Sequence, residues 1–305
     1  MWLGAALAAC TPGASRAPMR IGYQKDGLLP LSKARGRLAA RLAPAGVGEV
    51  TWAEFGSGPP LLEAMRAGAV DVGAVGDTPP IFAEAAGAPL FYAAAQPVTG
   101  AGQGLIVPKD SPLRSVSDLK GRRVAFVRGS SAHLFVVEAL ALAGLSPRDV
   151  TPVHLSPADA AAAFAGGALD AWVVWDPFLA LAEAQQGARL LVDGRRVAST
   201  ASFYMVTRAF AERSPAQLAA LLRALAQDAA WANANTPQVL TLLEAETGLP
   251  RAIMATSLRR GPFAVLPLSA GVVTAQQAAA DLLFTIGEVP APVDVRRAVW
   301  SRSWV

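Results

Sequence analysis

Two stretches of the chain repeat one pattern of glycine, aspartate and proline. The first reads Ala-Gly-Ala-Val-Asp-Val-Gly-Ala-Val-Gly-Asp-Thr-Pro over residues 67–79, and the second reads Gly-Gly-Ala-Leu-Asp-Ala-Trp-Val-Val-Trp-Asp-Pro over 166–177. Asp170 follows Asp71 by 99 residues, and Asp176 follows Asp77 by the same 99. Each stretch has the pattern of a helix ended by glycine, a turn, a buried strand and a new helix start. Unless two alanine-rich strands are alike by chance, this predicts two α/β lobes with a ligand cleft between them.

Short apolar strands alternate with amphipathic helices from Met19 onward, a pattern typical of βαβ units and a mostly parallel sheet. In the first half, strands are predicted at 19–23, 50–55, 70–75 and 90–95, and helices at 28–42, 60–66 and 80–86. The second half begins near 105–107, with strands predicted at 123–127, 151–155, 171–175 and 189–192, and helices at 132–143, 158–164 and 178–186.

The alternation ends after residue 196, and the remainder is mostly helical. One strand at 203–206 precedes helices predicted at 216–233, 238–246, 251–260 and 271–286. Such a tail does not easily form a domain of its own, so we expect it to pack on the first lobe. The predicted division is residues 1–18 as signal and tether, 19–104 with 203–305 as lobe 1, and 105–202 as lobe 2. The chain then crosses between the lobes twice, near 103–108 and 200–203, as a hinge requires.

The single cysteine of the chain, Cys10, ends the run Leu-Ala-Ala-Cys and precedes a flexible Thr-Pro-Gly-Ala-Ser stretch. This arrangement resembles a bacterial lipobox, in which Cys10 carries lipid after cleavage. No basic residue precedes the short apolar run. Two alternatives therefore remain: the true start of the protein differs from Met1, or Cys10 is a buried structural cysteine. With one cysteine the chain forms no internal disulfide, and a thiol nucleophile or thiolate metal site is disfavoured.

The amino-acid composition of the chain limits the kinds of partner that it can bind. With 53% hydrophobic and 16% charged residues, the 305-residue chain can bury two cores. Its net charge of +4 is spread along the sequence, without a basic run interleaved with aromatics, so nucleic-acid binding is not supported. Beyond the N-terminal segment, no apolar run reaches the roughly 18 residues that span a membrane.

Polar turns follow the predicted strands on the side where α/β proteins bind ligands. The turns carry Gln24, Thr78 with Pro79, Ser130 with Ser131, and Trp175. Helix starts supply unpaired N–H groups and partial positive charge, so two facing turns can hold a tetrahedral oxyanion. Ordinary helix capping is the alternative for any single turn. Trp175 at a polar strand end can cover an apolar ligand tail.

Catalysis has little support in the sequence. The two histidines, His133 and His154, lie in different predicted elements, outside any HExxH motif, and the GxSxG and phosphate-loop motifs are absent. His133 is either a ligand contact or a packed or capping residue. Asp71 and Asp170 are expected to fix turns. Asp77 and Asp176 are expected to be helix caps or surface charges rather than acid or base catalysts. No metal or cofactor is implied.

The motifs together resemble the aliphatic sulfonate-binding proteins of bacterial ABC importers, within the nitrate, sulfonate and taurine receptor superfamily. The resemblance covers about residues 19–300. It is carried by Met-Arg-Ile-Gly-Tyr-Gln-Lys at 19–25, Gly-Asp-Thr-Pro-Pro at 76–80, Ile-Val-Pro-Lys-Asp-Ser-Pro at 106–112, Asp-Leu-Lys-Gly at 118–121, Gly-Ser-Ser-Ala-His at 129–133 and Asp-Ala-Trp-Val-Val-Trp-Asp-Pro at 170–177.

This resemblance implies a periplasmic-binding-protein type II fold, with two α/β lobes on a two-segment hinge. It implies a monomeric, extracytoplasmic receptor, periplasmic or lipid-tethered, that delivers an alkanesulfonate to an ABC permease with a cytoplasmic ATPase for sulfur acquisition. The implied ligand contacts are Gln24, Thr78, Pro79, Ser130, Ser131, His133, Trp175, Asp176 and Phe203. Asp77 and Ser131 stand where relatives often carry Glu and Asn, which leaves the choice of ligand open.

Two kinds of alternative remain at the level of sequence. Within the same fold, the ligand could be taurine, nitrate or a sulfate ester. From another class, an enzyme of the thiamine-pyrimidine type shares the fold, but it would need reactive His or Cys near the cleft. A transcription-regulator sensor domain also shares the fold, but no helix-turn-helix region precedes Met19.

Overall fold

The computed structural model describes residues 18–197 and 201–305, and these form two separate β-sheets flanked by helices. The first sheet has the order β2-β1-β3-β10-β4, with strands β1 (Met19–Tyr23), β2 (Val50–Glu54), β3 (Val72–Val75), β4 (Leu90–Pro97) and β10 (Ala201–Thr207). The second sheet has the order β7-β6-β8-β5-β9, with strands β5 (Gln103–Val107), β6 (Arg123–Phe126), β7 (Thr151–His154), β8 (Ala171–Trp175) and β9 (Arg189–Asp193).

Helices connect the strands on both faces of each sheet. The first half contains α1 (Leu28–Arg35), α2 (Leu38–Leu42), α3 (Gly58–Arg66) and α4 (Thr78–Ala85), and the second contains α5 (Ser131–Leu142), α6 (Pro157–Ala165) and α7 (Phe178–Gln186). Helices α3, α4 and α6 begin with proline in the first turn, where its missing N–H costs no hydrogen bond.

The C-terminal region is helical and packs on the first sheet. Its helices are α8 (Arg208–Arg213), α9 (Pro215–Ala234), α10 (Thr236–Thr247), α11 (Arg251–Arg259) and α12 (Ala270–Thr285). Leu222 of α9 and Leu243 of α10 lie in one buried core with Ile21 and Leu28 of the first half. The exact domain boundaries stay a prediction.

Two expectations from the sequence are corrected. The helix predicted over 28–42 is broken after Arg35, because Gly36 takes a left-handed conformation (φ 64°) that ends α1. The sheets are mixed rather than mostly parallel: β10 runs antiparallel to β3 and β4, and β5 runs antiparallel to β8 and β9. The short helix α8 was not expected.

The two segments that connect the lobes contact each other at a pair of glycines, Gly100 and Gly194. Gly100 has a φ of 76°, and a Cβ atom on it would lie 2.3 Å from the carbonyl carbon of Gly194. Any side chain at this point would separate the two segments. Residues 198–200, which include Thr200 of the predicted second crossing, lie outside the described residues, as does Cys10.

The repeated sequence pattern forms the same structure twice. Asp71 accepts hydrogen bonds from the backbone nitrogen (3.0 Å) and Nε (2.9 Å) of Arg20, and Asp170 accepts the same pair from Arg123 (2.8 and 3.2 Å). In each lobe the arginine also donates to the carbonyl of a glycine just before the aspartate, Gly68 or Gly167. The expectation that both aspartates fix turns is confirmed.

None of the helices within the described ranges has the length and apolar character needed to cross a membrane. The same part of the chain contains no group of three or more His, Cys, Asp or Glu residues that could hold a metal ion.

The two equivalent aspartates are expected to differ in their contribution to stability. The side chain of Asp71 is 3% exposed and that of Asp170 is 28% exposed. Asp71→Ala should lower the free energy of unfolding by about 2–3 kcal/mol, because it leaves a buried N–H without an acceptor. Asp170→Ala should cost about 1 kcal/mol, since water can replace part of the lost interaction. Urea titration measures both, with exposed Asp110→Ala as control, and equal losses would contradict the expectation.

Candidate functional site

A cavity of about 200 Å³ lies between the two lobes, and both sheets contribute to its wall. Seven of the residues singled out from the sequence line it: Gln24, Pro79, Ser130, Ser131, Trp175, Asp176 and Phe203. They come from the ends of strands and the starts of helices, as expected for ligand sites in α/β sheets.

The start of helix α5 forms the polar part of the wall. The Ser130 hydroxyl accepts a hydrogen bond from the backbone N–H of Ala132 (3.2 Å) and donates to the carbonyl of Val127 (2.7 Å). Ser130 is therefore an N-cap that fixes the helix start beside the cavity. On the other lobe, Gln24 Nε2 donates to the Ala74 carbonyl at 3.1 Å, which orients its amide.

The two lobes approach each other closely beside the cavity. A Cβ atom on Gly76 of lobe 1 would lie 2.9 Å from Cβ and Oγ of Ser131 of lobe 2. No ordinary side chain contact is that short, so glycine is required at position 76 for the lobes to close in this way.

Several apolar side chains also line the cavity. Leu28, Leu29, Met254, Leu258 and Phe263 line it, together with the partly exposed ring of Trp175. Phe203 is buried and packs edge-on against Tyr92, with ring centroids 4.9 Å apart. A ligand with a polar head and an apolar body would match both parts of the cavity.

Arg260, in the segment after α11, joins the lobes through two carboxylates. Its Nη1 donates to Asp176 Oδ1 at 2.8 Å, and its Nη2 donates to Glu183. Asp176 also accepts from the Ala180 backbone N–H (3.1 Å), so it caps helix α7 as expected. Burial raises the pKa of Asp176 to about 6, against the opposing effect of Arg260.

Thr78 and His133 lie outside the wall of the cavity. Thr78 is fully buried, and its hydroxyl donates to Asp77 Oδ1 at 2.8 Å. Because the Thr78 hydroxyl already donates to Asp77, the arrangement gives no support for the predicted contact between Thr78 and the ligand.

His133 packs in the interface between the lobes. Its ring stacks on Phe126 with a centroid distance of 5.1 Å and lies 5.6 Å from Phe82 of helix α4. Nδ1 accepts from the Gly129 backbone N–H at 3.3 Å, so the neutral ring carries its proton on Nε2, which lies 3.4 Å from Glu288 Oε2 of lobe 1. The geometry favours the packed residue over the ligand contact.

The polar cavity residues that reasoning from the sequence missed include Asp26, Gln103 and Arg260. Asp26 lies two residues after Gln24 and could have been included with that turn. Gln103 begins a strand, and Arg260 comes from a helical tail far along the chain, so no local signal placed them together.

A family model described as NMT1/THI5 like matches residues 52–239. An aliphatic sulfonates-binding protein of Escherichia coli K12 is 40% identical over 284 residues, which cover 92% of this chain and 88% of that protein. The chain belongs to this family of aliphatic sulfonate-binding proteins.

Solved structures of the family match over nearly the whole chain. The alkanesulfonate-binding protein SsuA from Xanthomonas axonopodis pv. citri, bound to MOPS, is 42% identical with a TM-score of 0.90, and covers 94% of this chain and 99% of its own. The periplasmic aliphatic sulphonate binding protein SsuA from Escherichia coli is 39% identical with a TM-score of 0.84, and covers 94% and 93%. The predicted two-lobe binding-protein fold is confirmed.

The interface histidine gives an expectation about pH. Burial, with His154 and Arg128 nearby, lowers the pKa of His133 to about 4. Between about pH 6.5, the ordinary value of histidine, and pH 4, the unfolded chain binds a proton here that the folded chain does not. The free energy of unfolding should therefore lose on the order of 2 kcal/mol through this residue as pH falls to about 4.5.

His133→Gln keeps an acceptor for Gly129 and cannot titrate. Its melting temperature should fall less between pH 6.5 and 4.5 than that of the wild type. His154→Gln, at an exposed position, should keep most of the dependence, because burial is the main cause of the lowered pKa of His133. If the melting temperatures of the wild type and His133→Gln fall equally over this pH range, His133 does not cause the pH dependence.

Proposed function

We propose that the protein is an extracytoplasmic receptor of an ABC importer that captures aliphatic sulfonates and is not an enzyme. The observation that carries this proposal is the cavity between the lobes, whose lining includes both a helix start and several apolar side chains. The relatives at 39–42% identity are named as sulfonate-binding proteins, and one of them is bound to MOPS, an alkanesulfonate.

In this proposal the sulfonate head is held at the start of helix α5. A helix start carries about half a positive charge, which attracts an anion without a formal cation. Ser131 and Gln24 lie in the wall beside it and offer a hydroxyl and an amide. Pro79 and Phe203 line the same cavity.

The organic part of the ligand is placed against Trp175 and the leucine, methionine and phenylalanine side chains of the wall. Burial of each methylene contributes about 0.8 kcal/mol, so a short alkyl chain adds a large share of the affinity. Nitrate and sulfate have no such chain. This is the reason to prefer organic sulfonates over the inorganic anions bound by other members of the fold.

Arg260 has a mechanical role in this proposal. It connects lobe 1 to Asp176 and Glu183 of lobe 2, so it stabilises the closed arrangement in which the ligand is enclosed. The closed, monomeric receptor would then be recognised by the permease, whose cytoplasmic ATPase drives uptake for sulfur acquisition. Taurine, nitrate or sulfate-ester binding remains the alternative within the fold.

Calorimetric titration tests the proposal directly. Butanesulfonate should bind, and nitrate and sulfate should bind at least tenfold more weakly. They lack the alkyl chain, whose burial contributes about 2–3 kcal/mol of binding free energy. Tighter binding of nitrate than of butanesulfonate would transfer the assignment to the alternative.

The position of the ligand is tested with Trp175. Trp175→Ala should weaken butanesulfonate binding by about tenfold to a hundredfold, the effect of losing about 1.5–3 kcal/mol of apolar contact. Trp52→Ala, on the outer strand β2 away from the cavity wall, is the matched control and should leave affinity unchanged. Unchanged affinity in Trp175→Ala would place the alkyl chain elsewhere.

We also propose that the protein is tethered to the membrane by lipid on Cys10, with the residues up to 18 as the linker. The support is the Leu-Ala-Ala-Cys sequence and the small polar residues after it. When the protein is expressed from its genuine start, the wild type should sediment with membranes and Cys10→Ala should be soluble. Equal release of both proteins would contradict the anchor.

A further inference from the structure

Two carboxylates line the cavity that the proposed function assigns to an anion. Asp26 and Asp176 both line it, and the negative charge of Asp176 is one of the causes that raise the pKa of Asp26. Two carboxylates beside a site for an anionic head would repel that ligand. Arg260 and the start of helix α7 already account for Asp176, so a positive charge on the ligand is needed only to explain Asp26.

The cations of the wall do not balance Asp26. Arg260 is bound to Asp176 and Glu183, and Lys25 lies 3.9 Å from Glu54 and donates to the Thr247 carbonyl. Among the ion pairs of the described residues, none includes Asp26. Helix α1 begins at Leu28 with Gly27 as its N-cap, and the hydrogen bond given to the Asp26 carboxylate comes from its own backbone, so the carboxylate has no cation as partner there.

Two further polar atoms in the wall lack partners. Asp176 is 7% exposed and Gln103 is 9% exposed, and in the described part of the chain Asp176 Oδ2 and Gln103 Nε2 make no hydrogen bond. Buried polar atoms in native proteins are nearly always paired, and a bound ligand is one way to satisfy them. An acceptor and a donor thus remain in the wall that also carries Asp26.

We propose that Asp26, supported by Asp176, binds a cationic group of the ligand, so that the receptor prefers sulfonates that carry a protonated amine. The inference rests on the proposed function, because it assigns the second polar group of the same ligand. The sulfonate remains at the helix start, the ammonium group pairs with Asp26, and a short alkyl chain between them contacts the apolar wall.

A pair of nearly isosteric ligands tests this assignment. In 3-aminopropanesulfonate an ammonium group stands where butanesulfonate has a methyl group. In calorimetric titration at pH 8 the wild type should bind the amino compound at least tenfold more tightly. Asp26→Asn should remove most of that preference and change butanesulfonate affinity less than threefold. Asp110→Asn, an exposed aspartate of lobe 2, is the matched control and should behave as the wild type.

The pH dependence of the wild type gives a readout that needs no variant. Burial raises the pKa of Asp26 to about 7. The amine stays protonated from pH 8 to 6, whereas Asp26 becomes neutral, so the preference for the amino compound should fall over this range. The other charged or titratable residues of the cavity are Lys25, Tyr204, Asp176 and Arg260. Of these, Asp176, with a pKa of about 6, acts in the same direction as Asp26.

The outcomes separate this inference from the proposed function. If butanesulfonate binds as tightly as the amino compound at pH 8, or if Asp26→Asn weakens both ligands equally, the cation site is overturned and the sulfonate receptor stands. If neither sulfonate binds the wild type, the proposed function is overturned and the inference with it.

Discussion

Arg260 joins the two lobes beside the cavity. Its guanidinium group bonds Asp176 at the end of β8 and Glu183 in helix α7, while its backbone belongs to the helical region packed on lobe 1. The guanidinium fork holds two carboxylates at fixed angles, so it sets the orientation of the lobes as well as their distance. The partial burial of all three side chains makes this interaction less sensitive to salt than an exposed ion pair.

Small residues make room for this closure. Gly76 allows Ser131 to approach lobe 1, and Gly100 allows the segment after β4 to lie against Gly194. His133, neutral and packed between Phe126 and Phe82, fills the interface next to the cavity without adding charge. The lobes therefore meet through close backbone contacts, one ion-pair network and a small aromatic cluster, an interface that a hinge motion can open.

Much of the fold could be predicted from the sequence because its signals are local. The strand at 19–23, the helix at 178–186 and the turns at Asp71 and Asp170 were all expected, since each depends on a run of apolar residues or on residues close in sequence. The break at Gly36 was missed, because glycine within an amphipathic pattern does not by itself end a helix. The sequence also did not predict that β10 runs antiparallel to its neighbour β3 in the first sheet, or β5 to its neighbour β8 in the second. Strand direction is set by which sheet the chain enters after each crossing.

The sequence by itself determined the duplicated plan of the chain and the polar turns that face the cleft, because strand ends and helix starts depend on residues that are neighbours in sequence. Only the tertiary structure decided which of those turns share a cavity. It placed Ser131 in the wall and His133 in the lobe interface, although the two lie in one helical turn. It also brought Asp26, Gln103 and Arg260 to the same cavity from distant parts of the chain. The physical reason is that charge and burial at the site arise from long-range packing of two lobes, which no local pattern encodes.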